Sequence, residues 1–155
     1  MTQLEVGQSA PAFDMPRDGG GTISSADIAG KIAVVYFYPK DATPGCTTEA
    51  QDFRDLHGAF VEAGAVVIGV SKDTVKSHDS FVAKQDLPFA LGSDETGAVV
   101  EAFGVWVEKM NYGKKYLGIE RSTFVIGRDG LIAHVWHKVK VAGHAAAVLK
   151  VVQGL

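Results

Sequence analysis

Two apolar runs with a helical pattern between them constrain this chain most. Ile32 to Tyr38 is continuously apolar, as expected of a strand covered on both faces. From Cys46 onward Ala50, Phe53, Leu56, Phe60 and Val61 recur at helical spacing, and the pattern stops at Gly64. Ala65 to Val70 is a second buried run. Strand, helix, strand in that order is a βαβ unit, whose right-handed crossover sets the two strands parallel.

The remainder fits around that unit. Residues 1–30 are turn-rich, with Pro11, Pro16 and a small hairpin around Gly19-Gly20-Gly21. Thr22 to Ser25 leads to a short helical turn near Ala26 to Ile28. Asp73 or Thr74 can cap a helix running to about Gln85; Phe89 to Leu91 reads as a strand and Ala98 to Phe103 as a short helix. Thr123 to Ile126 and Leu131 to Trp136 are strands joined at Arg128-Asp129-Gly130, where Asp-Gly signals a hairpin. His144 to Val152 is a final helix. The predicted class is α/β, a central mixed sheet with helices on both faces. At 155 residues a single domain over 1–155 is expected, long enough to bury a core.

Charge and composition exclude several classes. The net charge is −3 and no Lys/Arg cluster is long enough for a nucleic-acid or membrane patch. Met-Thr-Gln-Leu-Glu-Val has no basic region followed by an apolar core, so no secretory signal is expected, and no apolar run reaches spanning length. Cys46 is the only cysteine, which rules out an intramolecular disulfide and fits a reducing compartment. The expectation is a soluble cytoplasmic protein without cofactor. His57, His78, His134, His137 and His144 are scattered without ligand spacing, so no metal is expected either. Trp106, Tyr112, Tyr116 and Trp136 read as core or rim packing.

The lone thiol falls where the first strand hands over to a helix. Thr43 is a good N-cap type, Pro44 suits the first helical position, and Cys46 follows in the first turn. Free N–H groups and a positive dipole end favour the anionic, reactive form of a thiol. The N–H groups of Gly45 and Cys46 are free to face an anion or a substrate oxygen, and Gly45 adds no side chain to block approach. That placement weighs against a buried, inert cysteine acting as a small hydrophobe.

Pro39-x-x-x-Thr43-x-x-Cys46 resembles the active-site signature of peroxiredoxins. The longer string Tyr-Pro-Lys-Asp-x-Thr-Pro-Gly-Cys-Thr-Thr-Glu resembles the bacterioferritin comigratory protein branch, also called peroxiredoxin Q. Val6 to Phe13, Gly69 to Asp73 and Lys115 to Phe124 are similar to further family blocks, so the resemblance covers nearly the whole chain. It implies a thioredoxin-like fold and a thiol-dependent peroxidase acting on hydrogen peroxide and alkyl hydroperoxides. Cys46 is then the nucleophile. The Thr43 hydroxyl, one helical turn back, reaches thiolate and peroxide, and Pro39 shapes the loop and excludes water. Arg121, before a Ser-Thr-Phe strand, is the cation that the resemblance places over the cysteine. Glu49 either orients Arg121 or simply complements the helix dipole; the sequence leaves both open.

One departure matters. Many members of the branch carry a resolving cysteine, and the corresponding slots here hold Gln51 and Val82. Sulfenic acid formed at Cys46 must therefore be reduced by a thiol from another molecule, whether thioredoxin, glutaredoxin or a small thiol. The branch is often monomeric, and a monomer is expected. Two rivals are a thiol–disulfide oxidoreductase and a non-enzymatic binding or chaperone module. The first normally wants Cys-x-x-Cys, where this chain has Glu49. The second is disfavoured by the complete Pro39, Thr43, Cys46 and Arg121 set.

Overall fold

A computed structural model describes residues 3–155. The apolar runs become β3 (Ile32–Phe37) and β4 (Ala65–Ser71), parallel neighbours joined by α2 (Pro44–Glu62). Before them lie β1 (Asp14–Pro16), β2 (Thr22–Ser24) and the single turn α1 (Ser25–Ile28). After them follow α3 (Val75–Gln85), β5 (Ala90–Ser93), α4 (Ala98–Ala102), β6 (Trp106–Asn111) and β7 (Lys114–Ile119). The chain closes with β8 (Ser122–Ile126), β9 (Ile132–Trp136) and α5 (His144–Gln153). The main sheet runs β5-β4-β3-β8-β9; β3, β4 and β5 are parallel, while β8 runs antiparallel to both of its neighbours, β3 and β9. It is a mixed sheet of thioredoxin type, as expected.

Period-two alternation splits β3 between two cores. Ile32, Val34, Tyr36 and then Tyr38 face α2, α3 and α5, packing with Phe53, Phe60, Phe81 and Val148. Ala33, Val35 and Phe37 face the other way, toward Phe13, Met15, Val100, Phe103 and Phe124. A strand buried on both faces can be apolar throughout, which is why this run was legible.

The β1–β2 hairpin forms around the three glycines, and Gly64 ends α2 with φ +82°. Thr74, rather than Asp73, caps α3 by accepting from the Ser77 N–H. One element was not anticipated. β6 and β7 form a two-stranded ribbon outside the main sheet, turning at Tyr112-Gly113 with positive φ at both residues. Tyr112, read as packing, is 98 % exposed at that turn, and Tyr116 is also exposed. Trp106 does pack against the core, with the Lys72 ammonium 4.2 Å from its ring centre.

Candidate active site

β3 delivers the chain to the site and β8 supplies its cation. Phe37, the last residue of β3, pairs with Ser122, the first of β8. Residues beyond one and before the other therefore meet at the same end of the sheet. On one side is the loop from Tyr38 to Thr43 leading into α2; on the other is Arg121. Pro39 lies in that loop.

Thr43 holds the N-cap position with extended backbone, and Pro44 opens the helix. The Thr43 side chain does not cap. Its hydroxyl donates instead to the Lys40 carbonyl at 2.8 Å, while its own carbonyl accepts from the Thr47 N–H. The donor is thus committed to the loop, and the oxygen lone pairs stay available to accept a proton from a ligand.

Cys46 is 1 % exposed, and its sulfur meets a charged fork. Arg121 Nη2 lies 3.3 Å from Cys46 Sγ, and Nη1 donates to Glu49 Oε1 at 2.8 Å. One guanidinium thus bridges a thiol and a carboxyl group from a single helix turn. Of the two readings of Glu49, orientation of Arg121 has the geometry. Glu49 is buried, and Oε2 has no hydrogen-bond partner among the described residues. Burial raises its pKa to about 7 against the lowering effects of the Arg121 charge and hydrogen bond; Asp52 adds a small push upward. Gly45 makes room for the fork, since a Cβ there would lie 3.3 Å from Arg121 Nη2.

Three contributors escaped the sequence reading. Lys109 of β6 feels Arg121; burial and then that repulsion lower its pKa, with Glu120 and Cys46 opposing. His144, at the start of α5, shares a 2.8 Å hydrogen bond with Thr123 of β8. Burial, with help from Arg121, depresses its pKa to about 4, so it is neutral. Neither is near the motif in sequence, so periodicity could not have found them.

The third is a buried network behind the loop. Asp41 accepts from Tyr38 Oη at 2.6 Å and Ser77 Oγ at 2.8 Å, and its Oδ2 lies 2.7 Å from His78 Nδ1. Asp73 accepts from the Asp41 N–H and the Ser71 hydroxyl. The histidines looked scattered, yet the fold brings ligand-capable atoms of Asp41, Asp73 and His78 within 4.8 Å of one another. Protein donors already engage both carboxylates. The two slots that lack a cysteine lie along α2 and α3, where Gln51 donates across to Gln85 at 2.8 Å and Val82 packs against the core.

The chain is similar to known proteins along nearly its whole length. The AhpC/TSA family model matches residues 6–135. The chain is 49% identical over 152 residues to peroxiredoxin Bcp of Bacillus subtilis, covering 98% of this chain and 97% of that protein. It is 52% identical over 151 residues to peroxiredoxin Bcp of Xanthomonas campestris, covering 96% and 94%. A solved structure of the Xanthomonas campestris bacterioferritin comigratory protein, studied for its alkyl peroxide reduction activity, superposes with a TM-score of 0.91. Its identity is 47%, with 97% of this chain and 98% of that chain covered.

Proposed function

The chain belongs to the AhpC/TSA family, as a peroxiredoxin of the Bcp/peroxiredoxin Q kind with one cysteine, and from that premise we propose how its residues work. The enzyme is a thiol-dependent peroxidase that reduces hydrogen peroxide and organic hydroperoxides through a Cys46 sulfenic acid. The observation that carries the residue assignment is the Arg121 fork, which touches Cys46 and Glu49 together.

Cys46 thiolate attacks the terminal peroxide oxygen. The S–O bond forms as the O–O bond breaks, and the leaving alkoxide or hydroxide takes up a proton to depart as alcohol or water. Charge moves from sulfur to the leaving oxygen during this step. Arg121 stands beside the sulfur and stabilises the anion at both ends of that path. The Thr43 oxygen accepts the peroxide O–H, since its own proton is held by Lys40. The N–H groups of Gly45 and Cys46 donate at the helix start, and Pro39 shields the loop without a competing donor. Glu49 holds Arg121 in register.

The second half of the cycle uses an external thiol. Its sulfur attacks Cys46–S–OH, an S–S bond forms, and water leaves; a second thiol then releases Cys46. Thioredoxin, glutaredoxin or a small thiol can fill this role. We take the enzyme to be a single-domain cytoplasmic monomer. Its one cysteine fits a reducing compartment, and no helix among the described residues is long and apolar enough to cross a membrane. Peroxide consumption with and without each reductant tests the reading. Turnover that needs no external thiol would overturn it.

A further inference from the structure

The protonation of the network behind the loop can be read from geometry. His78 is fully buried. Its Nδ1 faces Asp41 Oδ2 at 2.7 Å and its Nε2 faces the Gly92 carbonyl oxygen at 3.0 Å. A carbonyl oxygen only accepts. Asp41 accepts from Tyr38 at one oxygen and Ser77 at the other, which marks it as the carboxylate. A neutral imidazole has one N–H and cannot serve two acceptors, so His78 carries both protons.

We propose that Asp41 and His78 form a buried carboxylate–imidazolium clamp that holds the Cys46 loop in its peroxide-reducing shape, acting as positioning residues for Cys46. Asp41 sits directly before Ala42, whose φ of +63° is a left-handed conformation that an alanine holds only when its surroundings impose it. Its backbone N–H is also tied, to Asp73 Oδ2 at 2.9 Å. The clamp thus joins the loop to β4, α3 and β5 just upstream of Thr43 and the first turn of α2.

The consequence lies in the cycle proposed above, on which the catalytic part of this inference rests. Cys46 is buried, so a small peroxide can be held by the closed loop while a bulky thiol needs the first turn to open. A cleft of about 460 Å³ is lined by Asp41, Ala42 and Thr47 together with Ser77, Ser80 and Phe81 of α3. Holding the loop closed favours peroxide attack; releasing it exposes the sulfenic acid to its reductant.

The charges that face His78 set its pH window. They are Asp41 from the loop and Asp73 after β4, joined by the Tyr38 and Ser77 hydroxyls and the Gly92 carbonyl. Burial opposes its charge, but the Asp41 hydrogen bond and charge prevail and raise its pKa. Burial likewise opposes the Asp41 carboxylate, but hydrogen bonds led by His78 and Tyr38 keep its pKa low. The clamp is therefore complete between the lowered Asp41 pKa and the raised His78 pKa, and weakens as pH rises past the latter.

Asp41→Asn and His78→Asn in the full chain test this. Hydrogen peroxide should oxidise Cys46 about ten- to a hundredfold more slowly, read by stopped-flow fluorescence. Labelling of reduced Cys46 by a bulky maleimide should quicken about tenfold, with unchanged far-UV CD and a rate flat in low urea, the mark of local opening. Both rates within about twofold of wild type, or labelling that climbs with urea from the outset, would overturn the clamp. Imidazole ¹⁵N spectra of the wild type decide independently of variant folding: His78 should be doubly protonated at neutral pH, and a neutral ring there overturns the proposal. A wild-type chain inert to peroxide would sink the peroxidase reading alone, because labelling and spectra still judge the clamp.

Discussion

Glu49→Gln should stabilise the protein more at alkaline pH than at acid pH. Burial raises the Glu49 carboxyl from 4.5 to about 7, and Arg121 offsets only part of that effect. Between those values the folded chain keeps a proton that the unfolded chain has released. Stability therefore falls as pH climbs through this window and is lowest above it. The full gap corresponds to about 3.4 kcal/mol, at ~1.36 kcal/mol per pKa unit. Between pH 5 and pH 8 the difference is about 2.5 kcal/mol, because the unfolded group is already partly ionised at pH 5. The side chain is 1 % exposed, so solvent screening does not reduce this much. Glutamine keeps the shape and does not titrate. Urea unfolding of both proteins across this range should show the variant's advantage growing by about 2.5 kcal/mol. His144 works in the opposite direction: its pKa falls from 6.5 to about 4, so the fold loses stability as pH drops through that window. It is common to both chains and cancels in the difference. A stability difference that stays constant with pH would refute the argument that burial dominates at Glu49.

Cys46→Ser should abolish peroxide turnover with far-UV CD unchanged, since no other thiol exists to substitute; residual turnover would remove Cys46 from the mechanism. Arg121→Ala should slow Cys46 oxidation about 10²–10³-fold. Arg121→Lys should recover only part of the rate, because a point charge cannot fork between Cys46 and Glu49. Stopped-flow traces equal to wild type would place Arg121 outside the chemistry. One equivalent of peroxide should yield sulfenic acid at Cys46 and excess should drive it to sulfinic acid and inactivation; intact-mass spectra without a gain at Cys46 would contradict this. Tyr36→Phe removes a buried hydroxyl that has no partner among the described residues, so unfolding should show no loss and a gain of up to about 1 kcal/mol.

Much of this was readable because it is local. The β3 run is apolar on both faces, Thr43-Pro44 marks a helix start, and Asp129-Gly130 marks the turn between β8 and β9. Sequence also anticipated Arg121 near Cys46, but only through the family resemblance; the physical cause is the pairing of Phe37 with Ser122. The β6–β7 ribbon was invisible because it stands outside the sheet and buries no regular face. Asp41 and His78 are separated in sequence by α2 and β4, and neither helical nor strand periodicity spans such a distance. At Thr43 the residue type gave the correct backbone position, yet the hydroxyl found a nearer acceptor in the Lys40 carbonyl.

Position 45 is a place where two demands on the chain compete. Gly45 has ordinary helical backbone, and alanine there would favour the helix by about 1 kcal/mol. The methyl group would crowd Arg121 Nη2 at 3.3 Å, while Cys46 and Glu49 hold that guanidinium in place. Alanine is therefore harmful while arginine occupies position 121, and becomes harmless once that cation is gone. In a drifting lineage the order matters: losing the arginine first opens position 45 but strands the buried Glu49 carboxyl group, whereas filling position 45 first crowds a guanidinium that is still held. The start of α2 is left weaker than its residues could make it, so that a cation from a distant strand has somewhere to sit.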